Sequence, residues 1–240
     1  MNRRGRIIFD LLITTAACAL IAGAAVAQAL TKPYQQWTAR ETERLLSDSP
    51  WAQTEPGLVR SGRTDPVTEV VDTTITVRLR SALPVREALA RLNQLKDRYD
   101  QKNEHDRTVI DARNKELLEC SDCADYYAVS ITPGAGSRSD LPAFLSSGRT
   151  AFELIRQNVF LENDKHEKRE LKKFTRPKSP AGEAIFFFSR LDSKGNSLVG
   201  PGSRTVIISF DPRVFDWKKA TVTKFKFDLA RMTINGQVAF

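Results

Sequence analysis

Short apolar segments recur through the second half of the chain at a spacing of roughly ten residues, which is typical of β-strands. An earlier segment, from Val67 to Arg80, is rich in β-branched residues and alternates apolar and polar residues from Ile75, which predicts a strand with one buried face. Residues 185–188, with the sequence Ile-Phe-Phe-Phe, are apolar on both faces and are expected in the centre of a sheet. The later predicted strands span 126–131, 156–162, 171–174, 184–189, 205–210 and 225–229.

Two other segments carry helical patterns. Thr38 and Glu41 have the spacing of a capping box, which predicts a short helix over 38–46 that ends before Pro50. Within residues 84–119, the apolar side chains first follow a spacing of three and four, which places them on one helical face. A polar stretch at 101–106 interrupts this pattern, and a weaker helical pattern then continues to the end of the segment.

These elements predict an α+β fold, with an antiparallel β-sandwich or open barrel and the helical segment 84–119 inserted between its first two strands. Segments 156–162 and 171–174 are expected to pair as a hairpin, and Asn235-Gly236 is expected to form the turn of a closing hairpin. The predicted organisation is a signal peptide at 1–27, an N-terminal helix and loop at 28–66, and a single β-rich domain at 67–240.

The first 27 residues have the composition of a signal peptide. Three arginines precede an apolar stretch from Ile7 to Val26, and Ala25-Val26-Ala27 offers the small residues that a signal peptidase requires. We therefore expect cleavage after Ala27 and export to the periplasm or the extracellular space. The alternatives are an uncleaved N-terminal membrane anchor and lipidation at Cys18, although Thr15 occupies the position where a lipobox has an apolar residue.

The formal charge of the chain is +8, and loss of three arginines and one aspartate with the signal peptide leaves +6. A modest positive charge favours solubility and weak attraction to anionic surfaces. Export argues against nucleic acid as the partner. After residue 27 the sequence contains no apolar run long enough to cross a bilayer.

Cys120 and Cys123 are the two cysteines of the predicted mature chain, and a local disulfide between them is expected in an oxidising compartment. A redox site is one alternative to this structural role. It requires a stabilised thiolate, whereas here a helix precedes the pair and Glu119, Asp122 and Asp125 surround it with negative charge. A metal site is the other alternative, but it needs about four ligands and the pair supplies two. No metal and no cofactor are predicted.

The densest basic segment lies around the predicted hairpin turn. Its cations are Lys165, Lys168, Arg169, Lys172, Lys173, Arg176 and Lys178, with Asp164, Glu167 and Glu170 among them. Such a segment is able to bind an anionic polymer or lipid head groups. The other interpretation is a solvated hairpin tip whose lysines protect a sheet edge from further strand pairing.

Familiar catalytic motifs are missing from the sequence, which has no Gly-x-Ser-x-Gly, no phosphate-binding loop ending in Gly-Lys-Ser/Thr and no His-Glu-x-x-His. His105 and His166 lie in charged stretches and are expected on the surface. Trp37, Trp51 and Trp217 are expected in the core, the alternative being a carbohydrate-binding face.

Four short motifs resemble those of a group of exported proteins of unknown function from soil bacteria. They are Trp37-Thr38 through Leu46-Ser47-Asp48-Ser49-Pro50-Trp51, then Ser81-Ala82-Leu83-Pro84-Val85-Arg86, then the Cys120/Cys123 pair before Tyr126-Tyr127, and finally Lys224-Phe225-Lys226-Phe227 to Met232. The resemblance extends over most of the predicted mature chain. It implies no activity and no site residues.

These observations lead us to expect a non-catalytic binding or structural module of the cell envelope. Its expected partner is an envelope polymer, an anionic surface or another envelope protein. One alternative is a thiol–disulfide protein that uses Cys120 and Cys123. The other is a polymer-acting hydrolase whose carboxylates the sequence does not identify.

Overall fold

The computed structural model describes residues 29–59, 71–133, 151–179, 182–210 and 224–240. Within them lie four longer helices, α1 (Ala39–Ser47), α2 (Leu83–Lys96), α3 (Glu104–Glu119) and α4 (Phe152–Asn158). The strands are β1 (Ala52–Val59), β2 (Val71–Leu79), β3 (Tyr126–Pro133), β4 (Val159–Asn163), β5 (Lys168–Thr175), β6 (Ala184–Ser189), β7 (Thr205–Phe210), β8 (Lys224–Asp228), β9 (Thr233–Ile234) and β10 (Gln237–Val238). The predicted signal peptide, with its cleavage site and Cys18, lies outside the described residues, as does Trp217.

Eight strands form one antiparallel sheet in the order β1-β2-β3-β6-β5-β4-β7-β8, and β9 pairs separately with β10. The sheet curls until its two end strands approach each other, so the architecture is that of a nearly closed barrel. This confirms the predicted α+β fold. Residues 185–188 lie on β6, which has β3 and β5 as its neighbours, so their central position is also confirmed.

Apolar side chains fill the interior of the barrel. The ring of Phe186 lies 5.0 Å from that of Phe174 and 5.8 Å from that of Phe210, which in turn lies 6.2 Å from Phe225, centroid to centroid. Burying one such side chain stabilises the fold by about 1.5–3 kcal/mol. Aliphatic residues of the same core fill the space around them, among them Val77, Leu79, Val129, Ile131, Leu161 and Ile208. Because side chains occupy the interior, ligands are expected to meet the barrel on its outer surface.

A side-chain hydrogen bond joins the two end strands of the sheet. The Gln53 amide nitrogen donates to the main-chain carbonyl of Lys226 at 2.6 Å. We call the line where β1 approaches β8 the seam. The strand register turns the main-chain groups of Pro56 towards the seam and away from β2, and those of Lys224 and Lys226 towards the seam and away from β7. Proline has no amide hydrogen to donate and lysine resists edge-to-edge pairing, so the seam is poorly suited to accept a further strand.

Helices α1 and α2 pack together beside β1 and β2, and α3 packs against α2. Thr38 and Glu41 form the predicted capping box, with the Glu41 amide donating to Thr38 Oγ1 and the Thr38 amide donating to Glu41 Oε2. Arg91 is 4% exposed and donates both to the Trp37 carbonyl and to the Asp100 carboxylate. Arg91 therefore connects the residue before α1 to α2, and its hydrogen bonds to the Trp37 carbonyl and the Asp100 carboxylate compensate for the cost of burying its charge.

Three local predictions are corrected by the structure. Residues 52–59, expected in the N-terminal loop, form β1 and pair with β2, so the helical segment lies between the second and third strands. Residues 156–158 were expected to begin a strand but end helix α4, because a helical turn carries the fully buried Ile155 into the core. β5 is not a sheet edge, since it pairs with both β4 and β6, so its lysines do not protect an edge. The Asn235-Gly236 turn is confirmed, with positive φ at both residues. Among the helices of the described ranges, none has the length and apolar character needed to cross a bilayer.

Candidate anion-binding surface

Five lysines project from the outer side of the barrel on β5 and β8. Lys168, Lys172 and Lys173 lie on β5, while Lys224 and Lys226 lie on β8, and all five are at least half exposed or fall at exposed positions of their strand. We call this surface the basic face. Strands β4 and β7 separate β5 from β8. Three strand intervals correspond to about 14 Å, so an extended anionic chain can contact both groups of lysines.

Aromatic rings and carboxylates lie among these lysines. The Lys168 ammonium is 5.3 Å from the centre of the Phe160 ring, and the Lys173 ammonium is 4.9 Å from that of Phe187, both within the range of cation–π attraction. Glu162 is buried and has Lys168 at 3.8 Å and Lys224 at 3.7 Å. Glu162 thus faces two ammonium groups, while Glu170 lies 4.0 Å from Lys172 and Asp122 is bound by Lys173. With the exposed Asp228 at the end of β8, four carboxylates accompany the five lysines, so the basic face keeps a small excess of positive charge.

The structure separates the seven cations predicted from the sequence. Lys168, Lys172 and Lys173 belong to the basic face. Arg169 does not, because the strand alternation turns it inward, where it is buried and donates to the Asn196 carbonyl at 2.8 Å. Arg176 stacks over the Phe174 ring, 5.6 Å from its centre. The two remaining cations are exposed outside β5, Lys165 in the turn before it and Lys178 after it.

The lysines of β8 were missed as part of this surface. Their alternation with Phe225 and Phe227 was visible in the sequence, and it predicts an exposed strand face. What the sequence did not show is that β7 and β4 bring this face alongside β5, because the strand order is not the chain order.

The Cys120–Cys123 disulfide expected from the sequence is present, and it closes the turn between α3 and β3. Both cysteines are half-buried. Arg190 Nε donates to the Cys123 carbonyl at 2.7 Å, and the Lys173 ammonium donates to the Asp122 carboxylate at 2.7 Å. The two features that the sequence singled out are therefore in contact, since Lys173 belongs to the basic face and Asp122 lies between the cysteines.

Two concavities flank the disulfide turn. The first, the arginine cleft, has a volume of about 300 Å³ and is lined by three guanidinium groups over an apolar floor. Arg80, Arg86 and Arg113 are these cations, and Ala128, Ile185 and Phe187 form the floor. The second, the cysteine pocket, has a volume of about 460 Å³ and is lined by both cysteines, Arg86, Arg190, Leu83 and Phe240. Arg86 lines both.

The cations around the turn are not equally neutralised. Arg80 forms an ion pair with Glu183, and Arg113 donates to Asp97 at 2.5 Å. Arg86 donates instead to the uncharged main-chain carbonyl of Leu118. Burial lowers the pKa of Arg86, Glu87 raises it and Arg190 lowers it further. Burial raises the pKa of the neighbouring Glu87, and the attraction of Arg86 opposes this shift only in part.

Other candidate groups lie away from this surface. His105 is exposed in the first turn of α3, and His166 is exposed in the β4–β5 turn with a φ of 63°. Within the described part of the chain, no group of three or more histidine, cysteine, aspartate or glutamate side chains has the arrangement of a metal site. Trp37 and Trp51 are buried, as predicted for core residues.

Comparisons of the chain with protein-family models, with curated proteins and with solved structures return no match.

Proposed function

We propose that this protein is an exported, non-catalytic binding module whose basic face holds an anionic polymer of the cell envelope. The observation that carries the proposal is the set of five exposed lysines on β5 and β8, which outnumber the carboxylates paired with them, Glu162, Glu170 and Asp122. Exposed ammonium groups attract anionic groups over several ångströms, and the attraction falls as salt is added.

A polymer fits this surface better than a bilayer does. The outer side of a barrel is convex, so a flat membrane would contact it along a narrow line, while a flexible chain can follow the curve from β5 across β4 and β7 to β8. The half-buried ring of Phe160 offers apolar contact beside the charges, as sugar rings require. The export signal predicted at residues 1–27 would deliver the domain to where such polymers occur.

The test measures binding of labelled polygalacturonate and polyphosphate to the mature chain, residues 28–240, at several salt concentrations. The test variant is Lys168→Gln/Lys172→Gln/Lys226→Gln, which retains Lys224 beside Glu162 and so avoids leaving this buried carboxylate without a cation. The matched control is Lys102→Gln/Lys115→Gln/Lys194→Gln, which removes the same charge from exposed sites on other elements. At about 0.2–1 kcal/mol for each exposed charge contact, the test variant should bind roughly three- to hundredfold more weakly.

The control variant should bind like the wild type, and binding should weaken with salt. Equal loss in the two triple variants would mean that only net charge matters and would refute the basic face. Binding to phosphatidylglycerol vesicles without binding to either polymer would replace the polymer by a lipid surface. Neutral dextran should not bind, and equal binding of dextran would refute the charge argument.

A specific observation also favours a second candidate, a thiol–disulfide protein. Both cysteines line the cysteine pocket together with Arg86 and Arg190, and nearby guanidinium groups stabilise a thiolate. The reaction would be exchange with a dithiol protein: the Cys120–Cys123 bond breaks, the partner is oxidised to a disulfide, and two electrons and two protons pass to the pair. Thiol titration after mild reduction tests it, because a bond that dithiothreitol opens only in the unfolded chain would exclude this role.

A further inference from the structure

Arg86 occupies an unusual position at the disulfide turn. It lies on α2, yet its guanidinium lines both the arginine cleft and the cysteine pocket. Its hydrogen bond to the Leu118 carbonyl holds it against the last turn of α3. Its Nε is inaccessible to solvent and has no hydrogen-bond partner. A half-buried cation is normally paired with an anion, because burial removes the water that would otherwise solvate it.

The surrounding charges do not supply that anion. In the described part of the chain, no carboxylate lies within ion-pairing distance of Arg86; Glu87 attracts it from beyond that distance, and Arg190 repels it. Two carboxylates line the arginine cleft. Asp122 is already bound by Lys173, and Glu116 lies at an exposed position of α3. Arg86 therefore has no direct ion-pair partner where it lines the cleft, and three guanidinium groups meet two carboxylates in the lining.

The walls of the cleft restrict the kind of anion it suits. Its floor is apolar, formed by Ala128 and Ile185 of neighbouring strands together with the Phe187 ring. A volume of about 300 Å³ lies at the small end of the range for ligand pockets. A guanidinium group can donate two parallel hydrogen bonds to the two oxygens of one carboxylate. Neither an inorganic cation nor a neutral sugar has a carboxylate to accept them.

We infer that the arginine cleft binds a small organic carboxylate, with the carboxylate held by Arg86 and the apolar part of the ligand on Ile185 and Phe187. Arg80 and Arg113 add positive charge at the rim while keeping their own carboxylate partners. This site does not depend on the proposed polymer: it is a concave, single-ligand site, whereas the basic face is an extended convex surface.

The experiment titrates the mature chain with benzoate and, separately, with benzamide, its neutral counterpart, and follows amide shifts by NMR. Benzoate should shift amides around Arg80, Ser121 and Ile185, and benzamide should not. Arg86→Gln should weaken benzoate binding roughly tenfold or more, since removing one partner of a desolvated charge pair is costly. Arg86→Lys, which keeps the charge but loses the planar donor pair, should fall between.

Arg40→Gln is the matched control, because Arg40 is exposed on α1, and it should bind benzoate like the wild type. The variant Lys168→Gln/Lys172→Gln/Lys226→Gln should also leave benzoate binding unchanged, which separates this inference from the polymer proposal. Equal affinity of the wild type for benzoate and benzamide would overturn the inference even if Arg86→Gln failed to fold. Benzoate shifts confined to β5 and β8, or no shifts, would also overturn it.

Discussion

The disulfide turn allows a quantitative prediction for the double variant Cys120→Ser/Cys123→Ser. The two cysteines are three positions apart, so the covalent loop contains four residues. In the chain-entropy model a loop this small restricts the unfolded chain by only about 2 kcal/mol. The turn also has contacts that do not need the sulfur–sulfur bond: the Cys123 amide donates to the Cys120 carbonyl at 2.8 Å, and Arg190 and Lys173 hold Cys123 and Asp122.

We therefore expect the double variant to fold and to lose about 2 kcal/mol of unfolding free energy. For a domain of this size that corresponds to a decrease of about 4–8 °C in Tm. Urea unfolding followed by tryptophan fluorescence measures the free energy, with the oxidised wild type as reference. Trp37 and Trp51 are buried in the core, and both are far from the disulfide turn in the sequence, so their fluorescence reports unfolding of the core.

The control is Ser121→Ala, which changes an exposed residue of the same turn and should leave the free energy within about 0.5 kcal/mol of the wild type. A loss of more than about 4 kcal/mol in the double variant would show that the bond organises much more than a local turn. No loss at all would show that the entropic argument fails here. Either result would refute the reasoning.

Two further predictions concern the seam between β1 and β8 and the helical layer, which consists of α1, α2 and α3. Gln53→Ala removes the hydrogen bond to the Lys226 carbonyl and should lower the free energy of unfolding by about 1 kcal/mol, with faster amide exchange in β8. The control Gln101→Ala, at an exposed site, should change neither quantity. Unchanged amide exchange in β8 of Gln53→Ala would contradict closure of the barrel by this hydrogen bond. The bond from Tyr99 to the Asp111 carboxylate raises the pKa of Tyr99 to about 12. This contribution to stability should be complete below pH 10 and decline between pH 10 and 12, where the unfolded chain ionises first. Phenolate absorbance of the wild type and of Tyr99→Phe measures it, and a Tyr99 that ionises near pH 10 would contradict the assigned bond.

Most secondary structure could be predicted because each element carries its own local pattern. The capping box of Thr38 and Glu41, the apolar helical face in 84–119 and the alternation around Phe225 need no information from distant residues. The strand order could not be predicted in the same way. β6 lies between β3 and β5, and β4 lies between β5 and β7. The consecutive strands β3 and β4, and likewise β6 and β7, therefore do not pair, although their order in the sequence would suggest it. Closure by Gln53 and Lys226 depends on this order as well.

The candidate sites show the same limit. A charged segment is visible as a cluster, but which of its members share a face depends on register. Arg169 turns inward, and a bulge between Leu171 and Lys173 leaves both Lys172 and Lys173 exposed. The acidic neighbours of the cysteines were evident in the sequence. Arg86 and Arg190 reach the same turn from α2 and from the end of β6, so their effect on the thiols required the tertiary fold.

Hydrogen exchange of the mature chain with and without polygalacturonate tests the central claim most directly. If the basic face holds the polymer, protection should appear in β5 and β8 and in the β4–β7 pair between them, while α1 and the exposed positions of α3 remain unchanged. Protection confined to the helical layer, or spread evenly over the surface, would contradict the assignment of binding to the outer side of these strands.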